Sequence, residues 1–170
     1  DNELADNTLL WFCSDNGPNL KGEEESGPGS RGPYRGHKGQ LHEGGIRVPG
    51  LLEWPSGIST PRVVDDPVVT SDFFPTFVEL AGAETPDRPY DGVSLVPLLA
   101  GEESVEDRTI CFATKGWFAI QNAKYKLVRQ KGKESPFELY DMENDPYETS
   151  DIVDEYPAIA ADLHAELDAW

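Results

Sequence analysis

The stretch "TLLWFCSDNGPN", residues 8–19, decides how the chain is read. Its first half is short, continuous and apolar, the pattern of a strand buried on both faces as in a parallel sheet. Ser14, Asp15, Asn16, Gly17 and Pro18 then follow in direct succession and end it. In open α/β sheets ligands gather beyond the carboxyl ends of the strands, so the abrupt stop puts an acid and an amide where chemistry is done. Neighbours in a continuing strand face opposite ways, but the break at Gly17 and Pro18 lets both side chains turn toward one point. A carboxylate oxygen and an amide oxygen are hard donors, suited to calcium or magnesium. The competing reading is an Asx turn, in which Asp15 and Asn16 bond only local backbone; taken alone, "SDNG" favours it.

Working outward, residues 17–45 hold nine glycines and no lasting periodicity, which reads as a long loop, and loops of that length inside a domain are functional or disordered. Within it, "RGHKG" (35–39) sets His37 and Lys38 between glycines that let backbone approach a ligand. Lys38 offers a compact charge to a sulfate or phosphate, against the ordinary fate of a lone lysine in solvent. In "HEGGIRVP" (42–49), Glu43 and Arg47 read as a structural pair that fixes the loop. "IRVPGLLEWP" (46–55) returns to extended chain, with Pro49 and Pro55 limiting its pairing. "TSDFFPTFVELAGA" (70–83) predicts a helix capped by Ser71 or Asp72, with Pro75 in its first turn, Phe73, Phe77, Leu80 and Ala81 on one face, and Gly82 at its end. After a proline-bearing loop (84–103), "RTICFAT", "WFAIQNAKYKLVRQ" and "FELYDMENDP" predict three or four antiparallel strands. A final helix carries Ile159, Leu163, Leu167 and Trp170 as one stripe, with Pro157 near its start. The fold class is therefore α/β to about residue 100, followed over 101–170 by a small antiparallel sheet packed by a C-terminal helix.

Composition narrows the function. The 170 residues carry 32 Asp plus Glu against 14 Lys plus Arg, a net charge of −18, which argues against a nucleic-acid partner because phosphate binding needs clustered cations. The basic island at 31–47, with Arg31, Arg35, Lys38 and Arg47 against Glu43 alone, stands out from that background. Cys13 and Cys111 lie in apolar runs with no CxxC pairing and read as buried thiols. No membrane-spanning run and no leader is visible, and the opening "DNELADNT" suggests a piece of a longer protein. The acidic phrase "DMENDPYETSD" (141–151) is no EF-hand, since Pro146 stands where that loop needs Gly and Ile152 where it needs Glu; a solvated turn is expected.

Five phrases in order, "TLLWFCSDNGPN", "RGPYRGHKGQLHEGGIRVPGLLEWP", "SDFFPTFVELAG", "DGVSLVPLLAG" and "FELYDMENDPYETSDIV", resemble the C-terminal portion of a type I, arylsulfatase-like sulfatase of the alkaline phosphatase superfamily. The resemblance implies a hydrolase of sulfate esters. It implies that Asp15 and Asn16 complete a divalent-cation site, usually calcium, or magnesium, and that Lys38 contacts the sulfate; His42, in a phrase often aromatic or His, is a further substrate-binding candidate. It implies an exported or lysosomal setting and a sulfated small molecule or glycan as substrate. The formylglycine nucleophile of such enzymes arises from a C/S-x-P/A-x-R motif that neither Cys13 nor Cys111 satisfies, so no catalytic nucleophile is assigned here. The chain is expected to need a preceding N-terminal half, to be inactive alone and to bind calcium weakly by itself, two ligands being few for an ion that takes about six to eight oxygens. A phosphodiesterase or phosphonate hydrolase relative, and a non-catalytic C-terminal module, are the alternatives.

Overall fold

A computed structural model describes residues 4–21, 24–25, 29–102, 104–105, 108–130, 132 and 135–170. In chain order the regular elements are β1 (Leu10–Cys13), β2 (Leu20–Lys21), β3 (Glu24–Glu25), α1 (Glu43–Ile46), β4 (Gly50–Glu53), α2 (Phe73–Leu80), α3 (Val96–Ala100), β5 (Ile110–Thr114), β6 (Trp117–Gln121), β7 (Tyr125–Arg129), β8 (Phe137–Asp141) and α4 (Pro157–Ala169). Packing groups them into two units, Asp1–Phe12 with Leu51–Arg108, and Cys13–Gly50 with Thr109–Trp170. This grouping differs from a boundary drawn at residue 100, because residues 13–50 pack with the C-terminal sheet.

In the first unit β1 pairs with β4 in a two-stranded sheet. Trp11 packs on Phe73 of α2, ring centroids 4.1 Å apart, while Leu10 and Phe12 point outward, 59% and 66% exposed. The strand is thus covered on one face within this chain and not on both: a two-stranded ribbon backed by one helix has only one side to bury. The helix forms where expected, with Pro75 in its first turn and Gly82 beyond its end at φ +61. Asp72 stands at the start of the helix, but its side chain makes no cap bond to it. Its buried carboxylate accepts from the N–H groups of Val69 (2.8 Å) and Val93 (3.0 Å) and takes both Nη atoms of Arg108 at 2.7 Å. Thr76 extends the tie, donating to Asp72 O and accepting from Leu95 N–H. The proline-bearing loop contains the short helix α3, which carries Pro97 in its first turn and stops at Gly101 in the left-handed region, φ 78; at about one and a half turns it lacks the periodicity that reveals longer helices.

The second unit is built on an antiparallel meander, β5–β6–β7–β8. Side chains alternate across a strand, so each strand supplies two faces. Ile120, Leu127 and Leu139 point one way, under Leu163 and Leu167 of α4. Burying each such side chain is worth about 1.5–3 kcal/mol. Trp117, Ala119, Val128 and Tyr140 point the other way and cover Leu41 of the glycine-rich loop. Lys126 and Glu138 share that second face, one residue out of phase with Leu127 and Leu139. Trp170 departs from the expected stripe: it lies past the end of α4, 55% exposed. The cysteines are partly rather than fully buried. Among the described residues no helix is long and apolar enough to cross a membrane.

Candidate functional site

Beyond β1 the chain turns within a few residues. Ser14 Oγ donates to the carbonyl oxygen of Asn16 (2.9 Å), and Asn16 Nδ2 donates to that of Gly17 (3.1 Å). These bonds hold the turn through the serine hydroxyl and the amide nitrogen, and an Asx turn, in which a side-chain oxygen accepts from the backbone, is not formed among the described residues. Among the described residues nothing donates to the Asp15 carboxylate or to Asn16 Oδ1, and Asp15 is exposed. An anionic and a neutral oxygen left without donors fit a hard cation. Two oxygens do not complete one, and among the described residues no cluster of three or more His, Cys, Asp or Glu side chains could hold a metal.

The glycine-rich loop folds back onto this turn. Gly17 N–H donates to Gly45 O (2.9 Å), and Lys38 N–H donates to Pro18 O (3.0 Å). The backbone of Lys38 is thereby fixed two residues beyond Asn16, with its side chain in solvent. Gly36 and Gly39, at φ +85 and +90, make the bends on either side, conformations that other residues adopt at a cost. Gly17 is required for a different reason: a Cβ there would overlap the Gly44 carbonyl. Gly44 and Gly45 are equally confined, since a Cβ on Gly44 would lie 2.6 Å from the carbonyls of Arg35 and Gly36, and one on Gly45 would lie 2.6 Å from that of His37. The two glycines of α1 are wedged between the loop carrying Lys38 and the turn carrying Asp15 and Asn16. His37 lies at the loop surface, its Nδ1 3.0 Å from Lys38 O.

His42, the further substrate-binding candidate, is buried among the described residues. It is 2% exposed, edge-on to the rings of Trp117 and Tyr140, with Nε2 3.3 Å from Glu138 Oε2. Burial, and next the nearby Arg35 charge, push its pKa from 6.5 down to about 4, so the imidazole is neutral near pH 7. Glu138 gathers the groups around it. Arg35 Nη1 (3.0 Å), Tyr140 Oη (2.5 Å) and Gln130 Nε2 (2.8 Å) all donate to its carboxylate. Burial by itself raises the Glu138 pKa, but the Tyr140 hydrogen bond, the Arg35 charge and the other donors outweigh it and lower the value. Burial, followed by the bond to Glu138, raises the Tyr140 phenol well above its usual range.

A second buried cluster escaped the sequence reading. Lys126 of β7, fully buried, places Nζ 2.8 Å from Glu43 Oε1 and 2.9 Å from Glu148 Oε1. Glu148 Oε2 accepts from the Glu43 N–H at 2.7 Å. Glu148 Oε1 has the ammonium as charge partner without a well-directed hydrogen bond. Burial outweighs the Lys126 attraction and raises the Glu148 pKa. The expected Glu43–Arg47 pair is present at 3.4 Å on the outer side of this cluster. The acidic phrase expected to be a solvated turn is only partly that. Asp145 accepts from the Thr149 and Ser150 N–H groups, yet Glu148, at φ 58, turns into the interior and is 1% exposed.

Comparison with known proteins identifies the family. The family model described as N-sulphoglucosamine sulphohydrolase, C-terminal, matches residues 36–170. A sulfatase of Formosa agariphila is 33% identical over 98% of this chain and 33% of its own length, and human steryl-sulfatase is 43% identical over 64% of this chain and 19% of its own. The crystal structure of Ps i-CgsB superposes with a TM-score of 0.83 at 31% identity, covering 98% of this chain and 37% of that one; the same protein has been crystallised with k-i-k-neocarrahexaose. The chain thus spans about a third or less of the curated relatives compared. Carrying the matched family's sequence from Gly36 to its last residue, on the fold of a sulfatase's C-terminal portion, the chain belongs to the sulfatase family.

Proposed function

We propose that this chain is part of a sulfuric ester hydrolase, to which it contributes two metal ligands and one sulfate-binding cation. The observation that carries the reading is the pair of backbone hydrogen bonds, Gly17 to Gly45 and Lys38 to Pro18, because they fix the backbone that carries Lys38 beside the turn with two hard oxygens to which no described residue donates. Asp15 and Asn16 would hold calcium, or magnesium, together with ligands from elsewhere in the protein. That ion would neutralise sulfate oxygens as the bond to the alcohol breaks. Lys38 would bind the same sulfate from the loop side, its charge opposing the build-up of negative charge in the transition state. No nucleophile is assigned within these residues. A formylglycine motif elsewhere in the protein would supply it, and the 170 residues alone would be inactive.

Beside the loop lies an open cleft of about 650 Å³ whose lining includes Arg31, Tyr34, Arg35, Tyr147, Thr149 and Asp151. Donors, acceptors and two tyrosine rings 5.6 Å apart suit a hydroxyl-rich substrate better than an apolar one, which favours a sulfated glycan. The test is hydrolysis by the full-length protein of an aryl sulfate, a sulfated oligosaccharide and a phosphodiester. Faster turnover of sulfate esters is expected. Preference for the phosphodiester would transfer the site to phosphoryl chemistry, and no turnover of any of them would leave a binding module.

A further inference from the structure

The geometry points to Glu148 as a positioning residue for the candidate site: through Lys126 and the Glu43 N–H it holds the Gly44–Gly45 turn against which both halves of the site are built. The inference rests on the proposed sulfatase reading for its functional consequence, but its structural part stands by itself.

Three facts make the connection. Gly45 is the acceptor for Gly17, and the van der Waals surface of Gly44 fills the space where a Gly17 side chain would go, so the turn carrying Asp15 and Asn16 follows α1 wherever α1 sits. On its other side α1 is gripped by the Lys38 loop, since Gly44 N–H donates to Arg35 O at 2.6 Å and the carbonyls of Gly36 and His37 close over both glycines. At its start α1 is held by side chains of the sheet unit: Glu148 takes the Glu43 N–H, and Lys126, between the two carboxylates, takes the Glu43 side chain. All three groups are at most 5% exposed. Inside a protein such charges are held tightly in place, and loss of one partner leaves another uncompensated.

The left-handed backbone at Glu148 belongs to the same device. At φ 58 a glutamate is strained unless its surroundings hold it there. The bonds that hold it are those of the neighbouring turn, where Asp145 accepts from Thr149 N–H and Oγ1 and from Ser150 N–H. A turn far along the chain thereby aims one carboxylate at the backbone N–H of Glu43, the residue that leads into the glycine pair.

The experiment compares full-length protein with its Glu148→Gln and Glu148→Asp variants. Gln keeps the length but, with one oxygen, cannot serve Lys126 and the Glu43 N–H together. Asp keeps the charge, suits left-handed backbone and loses reach. Hydrogen exchange read by mass spectrometry follows the Gly17, Lys38 and Gly45 amides, whose bonds define the turn, alongside those of β6 and β7. Exchange of residues 12–19 and 36–46 should accelerate about tenfold or more in Glu148→Gln, with β6 and β7 unchanged, and less in Glu148→Asp. Calcium affinity of the metal-stripped protein, by calorimetry, should fall about tenfold in parallel. Unchanged exchange at those two segments, or an equal rise across the sheet, overturns the proposal. If Glu148→Gln does not fold, the same readings on Glu148→Asp decide. Wild-type protein that hydrolyses no sulfate ester would sink the sulfatase reading while the exchange result still tests the lock.

Discussion

Acid should loosen the sheet unit through His42. Because burial holds this imidazole's pKa near 4, against 6.5 in the open chain, the unfolded form binds more protons throughout that interval. Stability is therefore complete above the upper value, falls as pH drops through the interval, and loses nothing more from this group below it. The whole difference corresponds to about 3 kcal/mol, of which about 2 kcal/mol is gone by about pH 5. Exposed groups cannot mimic an effect of this size and place. The comparison to make is wild type with His42→Gln, which retains a donor for Glu138 but has nothing to titrate. Amide protection over β6 and β7, corrected for the intrinsic pH dependence of exchange, should fall between about pH 7.5 and about pH 5 by about 30-fold more in wild type than in the variant. Parallel loss of protection in the two proteins would refute the assignment, because Glu138 and the other carboxylates are common to both.

Other substitutions separate support from chemistry. Lys38→Ala, exposed and free to change without disturbing the core, should lower kcat/KM for a sulfate ester by about 100-fold in the full-length enzyme while leaving thermal unfolding unmoved. Gly17→Ala forces its methyl into the Gly44 carbonyl; it should cost about 1–3 kcal/mol in urea unfolding and abolish activity along with it. Asp72→Asn strips the charge from a buried bidentate pair with Arg108 and should destabilise by about 3 kcal/mol with no change in the pH profile of activity. Lys126→Met leaves two carboxylates buried together, so Lys126→Met with Glu148→Leu should be more stable than Lys126→Met alone, as chemical denaturation would show.

Much of the fold was legible because the physics that made it is local. The strand at 10–13, the helix at 73–80 and the four sheet strands rest on runs of apolar residues and on Gly or Pro breaks a few positions apart. Where the reading missed, the deciding partner lay far off in sequence. Nothing within "TLLWFC" says that Trp11 packs on Phe73 while Leu10 and Phe12 stay outward. Likewise "TSDFF" suggests a cap, but the Asp72 carboxylate makes none and becomes instead a junction for Arg108 and the Val93 N–H.

The candidate site divides the same way. Asp15, Asn16 and Lys38 stand out in the sequence through the family resemblance, and through the glycines and proline beside them that mark where the chain bends. Their support was invisible, because buried ions look like surface ions in a sequence: Lys126 reads as the polar face of a half-exposed strand, and Glu148 as one more acid in a charged turn. Only register distinguishes them. Lys126 pairs opposite Tyr140 and lies on the same face as Val128, one residue away from the apolar face of Leu127. That face cannot be filled with hydrocarbon alone, since it must receive a glycine-rich loop whose backbone amides need acceptors. The Glu43 N–H finds its acceptor in Glu148, and the carboxylate then requires a cation, which Lys126 supplies. The charges inside this sheet unit thus follow from the glycines at the site: where Gly44 and Gly45 offer no side chains to pack, α1 is held by its backbone.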